Sequence, residues 1–205
     1  MKQDLTPEKL TLRYSVVSML FLALSGFEGM LMRSQLLHPD SPIMDAEHYY
    51  AMLTAHPMVG IYGFAYMAVM GAFFYLVPKL LNKQLFSLRL ANINMWMHIV
   101  GVLTVWFAAF YFKFASLYTL YWPLPVMRFA PIGVAVYAIG LVIIELSVLV
   151  FIFNIAATVF KRTEGDLTSG MALKKLMLAA FGLDERTVAR WWKNCLLYTS
   201  PSPRD

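Results

Sequence analysis

Only one of the 205 residues is a cysteine, Cys195. A single thiol excludes an internal disulfide and any multi-cysteine metal or cluster site. Charge is scarce as well: Asp, Glu, Lys and Arg make up 14% of the chain, where soluble domains carry about a quarter. A Gly-rich phosphate loop, an internal repeat and a nucleophile motif are all missing. What fills the space is apolar, 60% of all residues, which marks a membrane protein by composition alone. The net charge of +5 implies no nucleic-acid partner, because basic residues flanking the apolar runs account for it.

A hydrocarbon core of about 30 Å asks for roughly 20 apolar residues per helix. Four stretches meet that length. Tyr14 to Met32 holds one charge, Glu28, and Met58 to Val77 holds none. Ile93 to Phe112 is also uncharged but contains His98. Phe129 to Phe160 is longer than a span needs, so it can tilt or rest its first turns in the interface, and it carries only Glu145. The first run is too long for a cleavable signal, and no small-residue cleavage pattern follows it. The expectation is an all-α polytopic membrane protein with four transmembrane helices over residues 14–160, preceded by a cytoplasmic segment, 1–13.

Orientation follows from basic residues in the short loops. Lys2, Lys9 and Arg13 precede the first run, Lys79, Lys83 and Arg89 join the second to the third, and Lys161, Arg162, Lys174 and Lys175 follow the fourth. The loop between runs one and two has Asp40, Asp45 and Glu47 with two histidines and no basic residue after Arg33. Lys113 and Arg128 stand between runs three and four. This places the N-terminus inside and His56 near the outer face. Residues 161–194 form an expected amphipathic segment on the cytoplasmic side. Within it, 167–194 alternate apolar and basic positions at near-helical spacing, with Trp191 and Trp192 suited to an interface. This reads as an amphipathic helix on the inner surface or a connector to a further span. The aromatic stretch over 110–125 reads as an interfacial belt.

In "TAHPMVGIYGFAYMAVMGAFFYLVPKLL", His56, Gly60, Gly63, Met67 and Gly71 follow steps of four, three, four and four, so they share one helical face. Pro57 is expected to sit at the start of this helix, where backbone N–H groups lack partners anyway. One reading is an interfacial histidine above a helix-packing seam. The other is an imidazole ligand to a haem iron, with glycines admitting a flat macrocycle and the second ring nitrogen held by a partner. Arg33 either snorkels to the interface or donates to a polar group level with His56. Glu28 and Glu145 are each a functional carboxyl or a neutral interhelical hydrogen bond. His98 reads as a packed, hydrogen-bonded histidine.

Several blocks, in order, resemble subunit I of the haem–copper respiratory oxidases. "GMLMRSQLLHP" resembles the end of that family's first helix. "TAHPMVGIYG…LVPKLL" resembles its second, from a Thr-x-His ligand motif to a Leu-Val-Pro ending. "SLRLANINMWMHIVG" resembles the Arg-x-x-Asn-x-x-x-Trp entry to the third. "LYTLYWPLP" resembles the outer loop that follows, and "FNIAATVFK" the close of the fourth helix. The resemblance covers about residues 10–165.

It implies the first part of a twelve-helix bundle in a prokaryotic plasma membrane. It implies that His56 is the axial ligand of a low-spin haem, that Arg33 contacts that haem's edge, and that Gly60 and Gly63 pack beside it. The high-spin haem and copper would take ligands from later helices, leaving no catalytic residue in this stretch. The implied partners are subunit II and other oxidase subunits, membrane lipid, and an electron donor such as cytochrome c, a copper protein or quinol. The implied activity is electron transfer to oxygen with proton translocation. Nitric oxide reductase is the sister reading, and a non-redox transporter subunit or assembly factor the reading from another class. Many relatives open a proton pathway with an Asp between helices two and three, where this chain has Gln84. "CLLYTSPSPRD", residues 195–205, resembles a translated sequencing-adapter tail, so it is expected to be non-native and the chain a fragment.

Overall fold

The computed structural model describes residues 6–38, 43–81, 83–115 and 130–160. The expected amphipathic segment 161–194, the tail 195–205, and residues 116–125 of the aromatic stretch lie outside the described residues. Helices carry nearly everything else, and no strand occurs among the described residues. Among the described residues, four helical spans are long and apolar enough to cross a membrane, as the hydropathy pattern requires.

Helix α1 runs over Pro7–Leu37. Thr6 caps it, its hydroxyl accepting from the Lys9 N–H at 3.3 Å, and Pro7 fits the first helical position because its missing N–H would be unpaired there. The second span begins with α2, Ala46–Met58, widens into a π-helical segment over Val59–Tyr66, and continues as α3, Met67–Leu81. Asp45 caps α2 by accepting from the His48 N–H at 2.7 Å. Pro57 therefore sits eleven residues into the helix, not at its start. Its ring removes a donor and crowds the carbonyl four residues back. The π segment opens two residues later.

Helix α4, Leu88–Tyr111, and helix α5, Pro131–Phe160, complete the bundle. They approach to backbone contact at Gly101 and Gly140. A Cβ on Gly101 would stand 3.0 Å from Ile144 N, and one on Gly140 would stand 2.9 Å from Val105 N. At the other end of the pair, the Asn154 side chain bonds both backbone groups of Ser87, accepting from N at 3.2 Å and donating to O at 2.9 Å.

Two apolar clusters fill the interior. One gathers Phe21, Met58, Val59, Val105 and Ile144, and the other gathers Leu10, Tyr14, Met67, Phe74 and Met95. A polar set joins Tyr14, Asn94, Ser147, His98 and Tyr62 across four elements. The Tyr14 hydroxyl reaches Asn94 Oδ1, Asn94 Nδ2 donates to Ser147 O, and Ser147 Oγ meets the His98 ring. Each of these groups is spared the cost of unpaired burial.

Candidate functional site

His56 lies in the last turn of α2, half-buried against α1. Its Nδ1 stands 2.7 Å from the Ser25 carbonyl oxygen. A carbonyl can only accept, so Nδ1 carries the proton and Nε2 keeps its lone pair. The Ser25 hydroxyl, 3.1 Å from the same Nδ1, donates to the His56 carbonyl at 3.0 Å. Ring and backbone are thus both tied to one residue of α1. Nε2 has no hydrogen-bond partner among the described residues.

The close approach depends on small residues. A Cβ on Gly29 would meet His56 Cε1 at 3.2 Å, so the imidazole rests on bare backbone. On the facing helix, a Cβ on Gly60 would meet Ser25 Oγ at 2.9 Å and one on Gly63 would meet Phe21 Cγ at 2.7 Å. Gly71 lies against Tyr14 in the same way. The face read from spacing is real, but α1 occupies it. Gly60 and Gly63 lie in the helix seam, the first of the two readings left open for them, and they let Ser25 come near enough to grip His56.

Arg33 is exposed and follows Gly29 by one helical turn, on the same edge of α1. It has no hydrogen bond or ion pair among the described residues. Glu28 is 2% exposed and its Oε1 accepts from Trp106 Nε1 at 2.6 Å, while its Oε2 is buried without a partner. Trp106 in turn stacks on Phe110 with ring centroids 5.2 Å apart. Of the two readings left open for Glu28, the interhelical hydrogen bond is present. Glu145 faces outward on α5 among Val142, Leu146 and Leu149, with no partner among the described residues.

His98 is fully buried, as expected of a packed histidine. Nε2 lies 2.8 Å from the Tyr62 carbonyl and Nδ1 lies 2.6 Å from Ser147 Oγ. Both ring nitrogens are taken, so His98 has no lone pair to offer a metal. Ser25, Gly29 and Trp106 belong to the site although the sequence reading passed over them. The four-residue spacing of Ser25, Gly29 and Arg33 was the signal for two of them; Trp106 is 78 positions from Glu28 and carries none.

A charged clamp closes the same end of the bundle. Lys113, held at φ 52° just past α4, bonds Glu47 at 2.8 Å and Asp45 at 3.2 Å. The His48 backbone N–H chiefly, with the His48 ring and Lys113, draws the Asp45 carboxyl down to about 2. Glu47 and then Asp45 push the Lys113 ammonium upward. Among the described residues no three His, Cys, Asp or Glu side chains gather as a metal-holding group.

The arrangement offers one imidazole with a fixed tautomer, an exposed guanidinium on the same edge, and a buried carboxyl beside Gly29. A carbonyl partner on one ring nitrogen raises the basicity of the other, which here keeps its lone pair.

Residues 9–183 match the family described as Cytochrome C and Quinol oxidase polypeptide I. The heme-copper oxidase subunit I+III of Aeropyrum pernix is 29% identical over 153 residues, 72% of this chain and 19% of that protein. The quinol oxidase subunit 1 of Bacillus spizizenii is 27% identical over 167 residues, 77% of this chain and 25% of that protein. The Cbb3-type cytochrome c oxidase subunit CcoN1 of Stutzerimonas stutzeri is 33% identical over 91 residues, 44% of this chain and 18% of that protein. The chain thus spans a quarter or less of the length of these relatives. No solved structure matches.

Proposed function

This chain belongs to the cytochrome c and quinol oxidase polypeptide I family, and on that footing we propose that it supplies His56 as an axial ligand to a low-spin haem that passes electrons towards an oxygen-reducing centre. The observation that carries the reading is the Nδ1–H to Ser25 carbonyl bond, 2.7 Å long, which leaves Nε2 as the free donor of an otherwise packed ring. A haem bound there supplies a one-electron carrier.

The chain's own residues do the rest. His56 Nε2 binds, and the Ser25 carbonyl fixes the tautomer and makes the ring a stronger donor. Gly29 leaves the imidazole room against α1. Gly60 and Gly63 keep the two helices close enough for that grip. Arg33 offers guanidinium donors to a polar or anionic substituent at the edge of the macrocycle. The second axial ligand, the high-spin haem and copper belong in this proposal to other parts of the protein. Reduction of oxygen, proton translocation, subunit II, a quinol or c-type cytochrome donor and a prokaryotic plasma membrane with a cytoplasmic N-terminus complete it.

The test is a reduced-minus-oxidised optical spectrum of the full-length membrane protein and of its His56→Ala variant. Loss of the low-spin band in the variant supports the reading. A band that survives His56→Ala unchanged rejects it, and absence of any haem band in the parent favours a non-redox membrane protein.

A further inference from the structure

Glu145 is the one polar residue that α5 turns away from the bundle. It is also the only charged side chain in the 30 residues of Pro131–Phe160. Fourteen residues of the helix precede it and fifteen follow, so at about 1.5 Å per residue it lies roughly 21 Å from either end. A hydrocarbon layer of about 30 Å centred on this helix leaves the carboxyl about 15 Å from water on both sides. Lys and Arg can lift a charged head to the surface on a long stem. The two methylenes of a glutamate cannot.

Every other polar side chain of α5 faces the chain's own helices. Tyr137, Ser147, Asn154 and Thr158 are buried, and the last two hold the backbone of Ser87 and Phe86. Gly140 lies against α4, and Phe151 packs edge-on to Phe73 and Phe74 of α3. What remains is a stripe at alternating steps of three and four: Ala135, Ala138, Val142, Glu145, Leu149 and Ile152, all exposed. One membrane helix seats on another along such a stripe in a left-handed crossing. The two alanines at its N-terminal end let a neighbouring backbone come near.

A lipid tail has no hydrogen to donate to a carboxyl. An acceptor at this depth is therefore costly in hydrocarbon, and membrane proteins meet it with a protein partner. A single polar residue in an apolar seam also selects the helix that binds and its register, because only one alignment supplies the donor. Helices of one polypeptide are brought together by their connections. A helix of a separate polypeptide has to be selected, and selection is what Glu145 adds to an otherwise featureless stripe.

We propose that this stripe of α5 is a docking surface for a transmembrane helix of another polypeptide, and that the helix carries an N–H or O–H donor which meets the Glu145 carboxyl near the bilayer centre. The occupant is an apolar span with a basic, amide or hydroxyl side chain at that level. Nothing in this depends on His56 as a haem ligand.

The experiment uses the full-length protein in its native membrane. A photoreactive benzophenone amino acid replaces Val142 or Leu149, one turn to either side of Glu145, and the adducts are mapped by mass spectrometry. The expected adduct joins α5 to a transmembrane segment of a second polypeptide, with a donor side chain within one turn of the linked residue. Glu145→Leu then lowers the share of that polypeptide kept through detergent purification by about tenfold, the factor one interhelical hydrogen bond carries. Glu145→Gln keeps an acceptor and stays closer to the parent. Removing the partner's donor gives the same loss, and combining it with Glu145→Leu adds nothing further. Leucine suits a membrane span, and an unaltered helical circular dichroism signal separates loss of the partner from loss of the fold. Adducts with lipid alone, an adduct within the same polypeptide, a partner segment without a donor, or unchanged retention in Glu145→Leu overturns the proposal.

Discussion

The two histidines inside the bundle differ in one nitrogen. His98 is closed on every side, with a carbonyl on Nε2, a hydroxyl on Nδ1 and a tyrosine ring parallel to its plane. His56 has one nitrogen bonded to Ser25 O and the other without a partner among the described residues, on a ring that rests on a glycine. Both lie in apolar helices, and among the described residues neither has a cluster of acids around it. Residue type therefore says little about role here. The number of ring nitrogens the fold uses up says a great deal: a saturated imidazole is structural glue, and a half-saturated one with a fixed tautomer is a donor held in readiness.

Exchanging the two roles is the strongest way to break that contrast. His56→Ala removes the low-spin haem signal outright. His98→Ala retains it, and optical spectra of the two variants will separate the roles. Next in size is Gly29→Val. Even a Cβ there meets the imidazole at 3.2 Å, and a branched side chain must displace it; haem affinity measured by titration falls about 10–100-fold, the range for changes that misorient a metal-ligating ring.

Trp106→Phe sharpens the comparison from the side of the carboxyl. It takes away the donor of Glu28 Oε1 when Oε2 already lacks one, at a cost of about 1–3 kcal/mol in chemical denaturation. Ser25→Ala is milder, because the carbonyl that fixes the tautomer is backbone and remains. Losing the hydroxyl costs about 0.5–1.5 kcal/mol and shifts the haem potential slightly.

The smallest effect belongs to the clamp near Lys113. The Asp45 carboxyl is held at about 2, below its ordinary 3.8. Its contribution is complete above the ordinary value and is lost as pH falls through that value towards about 2. Asp45→Asn should remove this acid-dependent loosening, read by tryptophan fluorescence between pH 5 and pH 2, both end points being about the limits over which such a carboxylate titrates.

The four spans were legible because bilayer thickness sets an apolar length that no other constraint competes with. Their true ends were less so. The sequence reading opens the second span at Met58, whereas α2 starts at Ala46. "AEHYYAMLTAHP" is too polar and aromatic to read as membrane, although Asp45 ahead of it is a sound capping signal. The shared face of His56, Gly60, Gly63 and Gly71 was visible in the spacing. What faced it was not, since a bare helical stripe accepts a neighbouring helix or a macrocycle equally well. The π segment left no trace in the sequence beyond Pro57. Glu28 and Trp106 were hidden because 78 positions separate them and only the fold brings them together.

The contact of α4 with α5 has a mechanical consequence. With Gly101 and Gly140 pressed backbone to backbone at one level and Asn154 locked to Ser87 at another, sliding this pair would drag one peptide group over the other. The α1 seam has only side chains at its tightest points, Tyr14, Phe21 and Ser25. Compliance in the bundle is thus concentrated where His56 is gripped, and rigidity where His98 is mounted, so the donor ring can yield by fractions of an ångström against a scaffold that does not.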